Sequence, residues 1–535
     1  MASTTAIAGT SPLIAALRDA ACYPHPAENI KVLETHISWV ILTGHHAYKI
    51  KKPVALEFLD FTKLEARRHY CEEELRLNRR LAPALYEMVV TITGGADGPR
   101  IGGNGPVIEY AVQMREFPQS LLASCLLTTG TLTGADIDAL AVRIATFHHT
   151  TGIAATGSPY GSPEAVISSA RGNFTVLGSL LPDPKDQMRL NGLSAWTDHE
   201  YHAHWTRFVA RQAEGSVREC HGDLHLGNIV MFDGELTPFD CIEFNPALRW
   251  IDVMSEVAFL VMDLMDRGRQ DFACRFLNTY LETRGTYDGL DMLRFYLTYR
   301  ALVRAKVHAL RAAQDGITNA EHVRLLGASR GYVELAQRCT QDWSNMGPAI
   351  IVMHGLSGSG KSVIAQALAE HAGAIRLRSD IERKRLSALT PLARSSSNLA
   401  SGIYAAESTL ATYTRLLELV RMIVNAGYAA VVDATFLKRW QRDLFRRLAN
   451  TQHIPFVIVD VTAPEALLRT RIAARLAAGS DASEADQTVL THQLALSETL
   501  GSDESSAVLR IDTSNADTET ILRAACAAMH ERLAA

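Results

Sequence analysis

Short apolar runs alternate with helical stretches through the C-terminal part of the chain. Such runs lie at 349–353, 431–432, 456–459 and 508–511. Strands that alternate with helices are typical of a doubly wound parallel sheet. The sequence therefore predicts an α/β domain in this part of the chain.

The pattern before residue 340 is different. Strand-like runs lie at 36–42, 47–50, 89–92 and 107–112, and a helix is predicted at about 64–81. A glycine-rich stretch at 94–105 favours a hairpin tip, and the pattern from about 130 to 340 is mostly helical. This half predicts an α+β fold of two lobes, with a small β-rich lobe at about 25–120 and a helical lobe at about 121–340.

One boundary separates the two patterns. The polar segment 342–348 ends in Gly347 and Pro348, which favours a linker. We expect two domains, at 1–345 and 346–535.

The composition indicates a globular protein. The chain has 535 residues, 47% hydrophobic and 21% charged, with a formal net charge of −5. This balance argues against a nucleic-acid coat or a membrane-surface binder, and no apolar run approaches the roughly 18 residues of a membrane span. The N-terminus lacks the basic residues of a secretory signal, and the 8 cysteines form no CxxC pair. We expect a cytoplasmic protein with free thiols, and the sequence leaves its oligomeric state open.

A P-loop motif follows the apolar run at 349–353. Its residues are Gly355, Leu356, Ser357, Gly358, Ser359, Gly360, Lys361 and Ser362. The glycines let backbone N–H groups surround a phosphate, Lys361 reaches the β- and γ-phosphates, and Ser362 binds Mg²⁺. The motif predicts a site for ATP and Mg²⁺.

Four further residues follow the later strands of this half in an order that suggests a kinase. Asp380, after the second strand, is the candidate base for an acceptor hydroxyl, with a helix N-cap as the alternative. Asp433 ends the third strand and could hold the water shell of the magnesium ion or contact the substrate. Arg471 and Arg475 lie one helical turn apart and would close over the phosphates, unless they belong to a solvated basic face.

A second phosphate-handling signature lies at 221–240. Phosphoryl transfer needs an orienting base, metal ligands and cations on the phosphates. Asp223 would accept the acceptor proton, Asn228 would hold a magnesium ion, and Asp240 follows the next strand as a second metal ligand. His221 would brace the loop.

This segment resembles the aminoglycoside and choline phosphotransferase branch of the protein-kinase-like fold. The resemblance implies that Lys49 contacts the α- and β-phosphates and that Glu74, or Glu73, is its ion-pair partner. Lys51 and Lys52 lie beside Lys49, and a plain surface charge is the alternative for any one of the three. The glycine-rich loop of that branch is reduced here to the turn at Gly44, and no acidic patch for an aminoglycoside is evident.

The C-terminal half resembles the zeta-toxin, gluconate-kinase and polynucleotide-kinase group of P-loop kinases. The whole chain, including the stretches 34–40 and 75–83, resembles a bacterial family that fuses an aminoglycoside-phosphotransferase-like domain to such a kinase domain. The substrate of that family is undefined as far as the resemblance goes.

The leading hypothesis is a kinase with two ATP·Mg²⁺ sites that phosphorylates a hydroxyl of a small molecule, a sugar or nucleotide derivative. One alternative is an N-terminal pseudokinase that regulates the P-loop kinase. Another is a polynucleotide 5′-hydroxyl kinase, with a backbone groove formed by Arg376, Arg378, Arg383 and Arg385. A fourth is a nucleotide-driven scaffold without an acceptor. We expect a small-molecule acceptor as the partner, rather than nucleic acid or membrane.

Overall fold

The chain forms two compact units in a computed structural model. The structure describes residues 11–56, 59–94, 98–314, 316–341, 346–390, 393, 405–478, 483–514 and 518–534. The first unit comprises Met1–Asp263 and Phe295–Ala336, and the second comprises Leu264–Arg294 and Gln337–Ala535. The contacts thus group Leu264–Arg294 with the second unit, whereas the sequence pattern assigned this stretch to the first domain. The core of the predicted linker, 342–345, lies outside the described residues.

The first unit contains a six-stranded antiparallel sheet in the order β1-β2-β3-β8-β6-β7. The strands of this unit are β1 (Lys31–Glu34), β2 (Ser38–Leu42), β3 (His46–Lys51), β4 (Ala55–Leu56), β5 (Leu59–Asp60), β6 (Tyr86–Thr93), β7 (Arg100–Ile101), β8 (Val107–Arg115), β9 (Val217–Glu219), β10 (Ile229–Phe232), β11 (Glu235–Pro238) and β12 (Trp250–Asp252). The last four pair as β10 with β11 and β12 with β9.

Helices fill the rest of the chain up to the second sheet. They are α1 (Pro12–Ala16), α2 (Leu64–Asn78), α3 (Ala123–Thr129), α4 (Gly134–Thr150), α5 (Pro163–Leu180), α6 (Pro184–Ala203), α7 (Trp205–Ala213), α8 (Pro246–Arg249), α9 (Val253–Asp266), α10 (Gln270–Arg284), α11 (Leu290–Ala312) and α12 (Asn319–Thr340). A small lobe of strands therefore precedes a larger helical lobe, and the predicted α+β layout is confirmed.

The strand β3 shows how this sheet presents its charged residues. Tyr48 and Ile50 pack into the core cluster on one face, whereas Ala47 packs into the cluster that includes residues of α2. Because side chains alternate along a strand, Lys49 and Lys51 share the face of Ala47. Both lysines thus point toward α2.

The first turn of the sheet differs from the sequence prediction. The strand β1 precedes the first predicted strand, so the turn between the first two strands is 35–37, which contains no glycine. Thr35 closes this turn, since its N–H donates to the Ser38 carbonyl at 2.9 Å and its hydroxyl accepts from the Ser38 N–H at 3.0 Å. The sequence pattern did not show β1 because its two ends are charged and exposed.

Gly44 instead lies in the turn between β2 and β3, with a φ of +95°. The backbone N–H groups of Thr43 and Gly44 donate to the Glu116 carboxylate at 2.9 and 2.7 Å. These amides are already satisfied by a side chain of the protein. The interpretation of Gly44 as the remnant of a phosphate-binding loop is therefore wrong.

The second unit contains a five-stranded parallel sheet in the order β14-β15-β13-β16-β17. Its strands are β13 (Ile350–His354), β14 (Ile375–Arg378), β15 (Ala430–Asp433), β16 (Phe456–Thr462) and β17 (Val508–Asp512). Its later helices are α13 (Lys361–Ala372), α14 (Ser379–Leu386), α15 (Ala406–Asn425), α16 (Arg439–Gln452), α17 (Glu465–Ala478), α18 (Gln487–Leu496) and α19 (Thr518–Ala534).

The central strand β13 is buried on both faces. Ile351 and Met353 pack with α13 and α19, and the alternating Ile350 and Val352 point to the other face, where α15 and α16 pack. This arrangement confirms the predicted doubly wound sheet. It also places the P-loop at the carboxyl end of the central strand, where ligands bind in such sheets.

Helix α10 packs against β14, which is an edge strand of this sheet. The Asn278 side chain donates to the Ala374 carbonyl at 3.1 Å and accepts from the Arg376 N–H at 2.7 Å. These are the backbone groups that a further strand beside β14 would pair. An ion pair between Arg275 and Glu370 at 2.9 Å joins the same helix to α13.

Replacing Asn278 with alanine should destabilise the protein by about 2–3 kcal/mol, because it leaves one buried carbonyl and one buried N–H of β14 without partners. The measurement is the free energy of unfolding of the full chain in urea. Thr283→Ala on the same helix is the matched control, because its exposed hydroxyl bonds only to the Thr279 carbonyl of the preceding turn. Equal effects of the two substitutions would contradict the role given to Asn278.

Among the described residues, no helix combines the length and the apolar character needed to span a membrane.

Candidate functional sites

The P-loop backbone adopts conformations that require glycine. Gly355, Gly358 and Gly360 have φ values of +137°, +83° and +98°. A Cβ atom at Gly355 would lie 2.3 Å from the Val461 carbonyl oxygen, which no side chain tolerates. The loop therefore turns tightly and leads its amides to the N-terminus of α13, which favours an anion.

Two contacts test whether this loop fits a nucleotide phosphate. The Ser357 N–H donates to the Gln493 side-chain oxygen at 2.9 Å, so a loop amide already points at an acceptor oxygen. The Lys361 ammonium is buried and donates to the Leu356 carbonyl at 2.7 Å. Inward amides beside a buried cation are the donor set that a phosphate needs, and the residues present fit the group.

Burial and the nearby Arg475 together lower the pKa of Lys361 to about 8, against the opposing effect of Asp433 and Asp380. The ammonium form is thus present at neutral pH and is lost as the pH rises through this value. A bound phosphate would restore the cation, because an opposite charge favours the charged form.

Nucleotide affinity at the P-loop site should therefore fall by up to about tenfold between pH 7 and pH 9, since the free site must take up a proton at alkaline pH. Calorimetric titration with a non-hydrolysable ATP analogue across this range measures the effect. Lys361→Ala is the control, and it should leave no binding signal from the P-loop site at either pH. A flat profile in the unsubstituted protein would contradict the assignment.

The P-loop opens into a cavity of about 350 Å³ that brings the predicted C-terminal side chains together. Lining residues include Ser357, Gly358, Gly360, Lys361, Ser362, Asp380, Asp433, Arg471 and Arg475. The other loop members, Gly355, Leu356 and Ser359, hold the backbone behind this wall; the Ser359 carbonyl, for example, accepts from the Thr513 hydroxyl at 2.8 Å. The catalytic roles of the lining residues stay predictions, but the fold brings these residues together at one cavity.

Asp380 lies in the first turn of α14, and the N-cap of that helix is Arg378, without a side-chain cap. The capping alternative for Asp380 therefore does not hold. Its carboxylate contacts the Arg383 guanidinium at 3.2 Å and faces the same cavity as Lys361.

Asp433 ends β15 and is buried close enough to Lys361 to raise its pKa. The Asp433 carboxylate and the Ser362 hydroxyl both line the cavity, and they are oxygen donors of the kind that hard divalent cations prefer. These two residues would hold such a cation.

The two arginines of α17 are tied to backbone beside the cavity. Arg471 donates to the Thr513 hydroxyl at 2.9 Å and to its carbonyl at 2.8 Å, and Arg475 donates to the Ala485 carbonyl at 2.8 Å. They are thus not a solvated basic face. The sequence showed no signal for the partner residues Gln493 and Thr513, because both belong to segments without a motif.

In the first unit, two buried lysines share one glutamate. The Lys49 ammonium contacts Glu74 at 2.7 Å and also Asp240, and the Lys51 ammonium contacts Glu74 at 2.8 Å and also Glu243. Burial alone would raise the pKa of Glu74, but the two lysines hold it at about 2. The network keeps Lys49, Lys51 and Glu74 ionised at neutral pH.

The ion pairs of Glu73 and Lys52 distinguish these two residues from Glu74 and Lys49, between which the sequence left the choice open. Glu73 pairs with Arg76 at 2.6 Å and with Arg249 at 2.9 Å rather than with a lysine of β3. Lys52 pairs with Glu34 at 2.6 Å, away from Asp240. The ion pair expected between Lys49 and Glu74 is present, and its role toward nucleotide stays a prediction.

Asp240 has a φ of +63°, a conformation that costs a non-glycine residue of order 1 kcal/mol or more. Its N–H donates to the Tyr86 hydroxyl at 3.2 Å. Strained backbone that is held in place by its surroundings is frequent at functional sites. This backbone conformation turns Asp240 toward Lys49, whose ammonium group contacts the Asp240 carboxylate.

The catalytic loop candidate places Asp223 between two polar partners. Its carboxylate accepts from the Asn228 amide at 2.9 Å and lies 3.4 Å from Nε2 of His225. Burial would raise the pKa of Asp223, but His225, Arg304 and His221 hold it well below its usual range. The carboxylate therefore stays ionised.

Buried residues of α9 and the loop itself fix the loop backbone. The Glu256 carboxylate accepts the N–H groups of His221 and Gly222 at 3.0 and 2.7 Å, and Asp263 accepts the Leu226 N–H at 2.9 Å. His221 in turn bonds to the Phe239 carbonyl at 2.8 Å, which links the loop to the Asp240 segment. The Asn228 amide and the Asp240 carboxylate are oxygen donors that fit a divalent cation.

Three functional candidates of this unit were not predicted from the sequence. They are His225 beside Asp223, Arg304 beside His225 and Glu256 beneath the loop. The pattern offers a signal only for His225, which falls inside the motif.

Comparisons with known proteins cover both halves. A family model for an AAA domain, AAA_33, matches residues 350–500. The uncharacterized protein Rv2004c of Mycobacterium tuberculosis H37Rv is 30% identical over 469 residues, 87% of this chain and 91% of the relative. The uncharacterized protein Mb2027c of Mycobacterium bovis matches to the same extent, 30% over 469 residues.

Solved structures resemble one half or the other. The amicoumacin kinase hAmiN is 13% identical with a TM-score of 0.38, covering 62% of this chain and 94% of its own. A gluconokinase from Sinorhizobium meliloti 1021 is 22% identical with a TM-score of 0.25, covering 35% of this chain and 92% of its own. A choline/ethanolamine kinase family protein from Mesorhizobium loti is 10% identical with a TM-score of 0.33, covering 61% and 97%.

Proposed function

Because the chain belongs to the family of the mycobacterial protein Rv2004c, whose members share nearly the full length of both halves, we propose one function that uses both sites. The protein is an ATP-dependent phosphotransferase that transfers the γ-phosphate to a hydroxyl of a small molecule, a sugar or nucleotide derivative. Each unit holds one nucleotide site, and Mg²⁺ accompanies the nucleotide.

One observation carries the proposal. A buried lysine, two carboxylates and two arginines from separate elements converge on the P-loop cavity. Nucleotide binding alone needs the loop and Lys361. Asp380, held by Arg383 on the cavity wall, supplies the group that would accept the proton of an acceptor hydroxyl.

The first unit supports the second site through its ion-pair network. Asp223 orients the acceptor, Lys49 holds phosphate oxygens, and Asn228 with Asp240 would hold the metal. The metal, when bound, neutralises charge that develops on the transferred phosphoryl group. Free and mostly buried cysteines support a reducing, cytoplasmic location for this chemistry.

A specific observation favours one alternative, in which the first unit is a pseudokinase. Its 35–37 turn contains no glycine, and the amides beside Gly44 are bound by Glu116. The polynucleotide kinase alternative is weakened, because Arg376 lies 3.7 Å from Glu282 and Arg385 contacts both Glu382 and the Glu282 carbonyl. Arg378 also lies 3.7 Å from Glu282, and Arg383 contacts Asp380, so all four arginines of the expected groove are engaged within the second unit.

The test uses γ-labelled ATP with a bacterial metabolite extract. We expect a labelled organic product with the unsubstituted protein and none with the Lys361→Ala, Asp223→Asn double variant. Each single variant assigns a product to one site. Release of labelled phosphate without any labelled organic product would overturn the phosphotransferase proposal in favour of a scaffold.

A further inference from the structure

Helix α11 presents a row of arginines to the loop that carries Asp223. Arg300 donates to the Gly222 carbonyl at 3.3 Å and to the Ser255 carbonyl at 3.1 Å. One turn later, Nη1 of Arg304 lies 3.5 Å from Nε2 of His225. Residues four apart share a helix face, so the row continues beyond the loop.

Arg304, His308 and Arg311 of α11 form a basic patch together with Arg324 of α12, which shares Glu321 with Arg311. Burial and the three arginines together lower the pKa of His308 to about 4, with burial as the largest cause. His308 is therefore neutral at physiological pH while three permanent cations surround it. Such a concentration of positive charge is costly unless an anion accompanies it.

The acidic groups near the patch are few among the described residues. Glu321 lies 3.2 Å from Arg311 and 3.7 Å from Arg324, so one carboxylate serves two arginines. Asp223 and Asp263 both act on Arg304 electrostatically, but Asp223 is the proposed reaction centre and Asp263 holds a loop amide.

Two buried nitrogen atoms of the patch have no hydrogen-bond partner within the described part of the chain. They are Nε of Arg304 and Nδ1 of His308. A buried polar atom without a partner costs about 1–3 kcal/mol, and a ligand oxygen that accepts from Nε of Arg304 would relieve that cost. Arg304 also acts electrostatically on Asp223, which places this end of the patch beside the proposed reaction centre.

We propose that the acceptor phosphorylated at Asp223 carries an anionic group, a carboxylate or a phosphate, which Arg304 binds together with Arg311 and Arg324. This inference rests on the proposed phosphotransferase activity of the first unit. It differs from the cationic acceptors that a resemblance to aminoglycoside and choline phosphotransferases implies.

The reaction proposed at Asp223 transfers the γ-phosphoryl group of ATP to the hydroxyl of the acceptor. The acceptor hydroxyl oxygen forms a bond to the γ-phosphorus, the bond from that phosphorus to the β,γ-bridging oxygen breaks, and ADP leaves. The hydroxyl proton goes to the Asp223 carboxylate. The anionic group takes no part in bond making, and the patch fixes the distance between it and the reacting hydroxyl.

The experiment uses the full chain with Lys361→Ala, so that the P-loop does not retain phosphate. The protein is saturated with a non-hydrolysable ATP analogue and Mg²⁺ and titrated with orthophosphate in a calorimeter. We expect saturable binding at one site, weakened about tenfold or more by Arg304→Gln and also by Arg311→Gln, which lies nearer the surface. Arg18→Gln, an exposed arginine of the same unit, should change nothing.

The outcomes separate this inference from the proposed function. Orthophosphate binding that vanishes once the analogue is bound would show that the arginines serve the nucleotide phosphates, and would overturn the proposal. Binding in Arg304→Gln and in Arg311→Gln that is as tight as in the parent Lys361→Ala protein would overturn it too. Failure of the analogue to bind Lys361→Ala protein would instead contradict the first nucleotide site itself, and titration without analogue would then still test the anion site.

Discussion

Lys361→Ala should abolish measurable phosphate transfer at the P-loop site, a loss of roughly 10²–10³-fold or more. The substitution removes the buried ammonium that faces the phosphates and leaves the Asp433 and Asp380 carboxylates in the cavity without their neighbouring cation. The same carboxylates would then repel the nucleotide. Single-turnover transfer from labelled ATP, with the Asp223-dependent product followed separately, measures the loss.

Arg447→Ala is the matched control, because this exposed arginine of α16 lies outside the cavity. Asp380→Asn provides a second comparison, since it should retain nucleotide affinity while losing transfer, whereas Lys361→Ala should lose both. Transfer at the P-loop site that survives Lys361→Ala would contradict the assignment.

Asp223→Asn should lower transfer at the first site by about 10²–10⁴-fold, because the amide cannot accept the proton of the acceptor hydroxyl. The shape of the loop should persist, since an amide oxygen can still accept from Asn228. Nucleotide affinity should therefore change little. The measurement is kcat for the product that remains in the Lys361→Ala background.

Asp233→Asn is the control for charge and shape, because Asp233 is exposed and lies in the turn between β10 and β11. Transfer that persists unchanged in Asp223→Asn would contradict the role given to Asp223, whereas the absence of any product in the Lys361→Ala background would identify the first unit as a regulatory pseudokinase. Total ATP turnover that neither Lys361→Ala nor Asp223→Asn affects would contradict both site assignments.

The P-loop half was predictable because its functional residues follow strands. Asp433 ends β15, Asp380 follows β14, and Lys361 follows the loop after β13, and parallel strands bring their carboxyl ends to one edge. The local sequence pattern therefore predicts that these three side chains lie close together. Gln493 reaches the same cavity from α18, and no local pattern connects it to the P-loop.

The first unit was less predictable because its charges are paired across long stretches of chain. Nothing near Lys51 in the sequence indicates that Glu243 will be its buried partner, and nothing near Glu256 indicates that it will bind the amides of His221 and Gly222. These contacts depend on tertiary packing. The motif predicted Asp223 and Asn228, but the groups that orient them required the fold.

The placement of α10 has a consequence for how the protein is made. The chain passes between the two units three times, after Asp263, after Arg294 and after Ala336, so neither unit is one uninterrupted stretch. The ribosome completes α10, with its buried Phe276 and Leu281, before it synthesises β14 and α13. The apolar face of α10 has no packing partner until β14 and α13 have been synthesised, whereas a domain formed by one continuous stretch can fold as it emerges. The second unit can therefore complete its fold only late in synthesis. A nascent chain that stalls before the P-loop would expose the apolar face of α10 to solvent, and such a face is prone to aggregation.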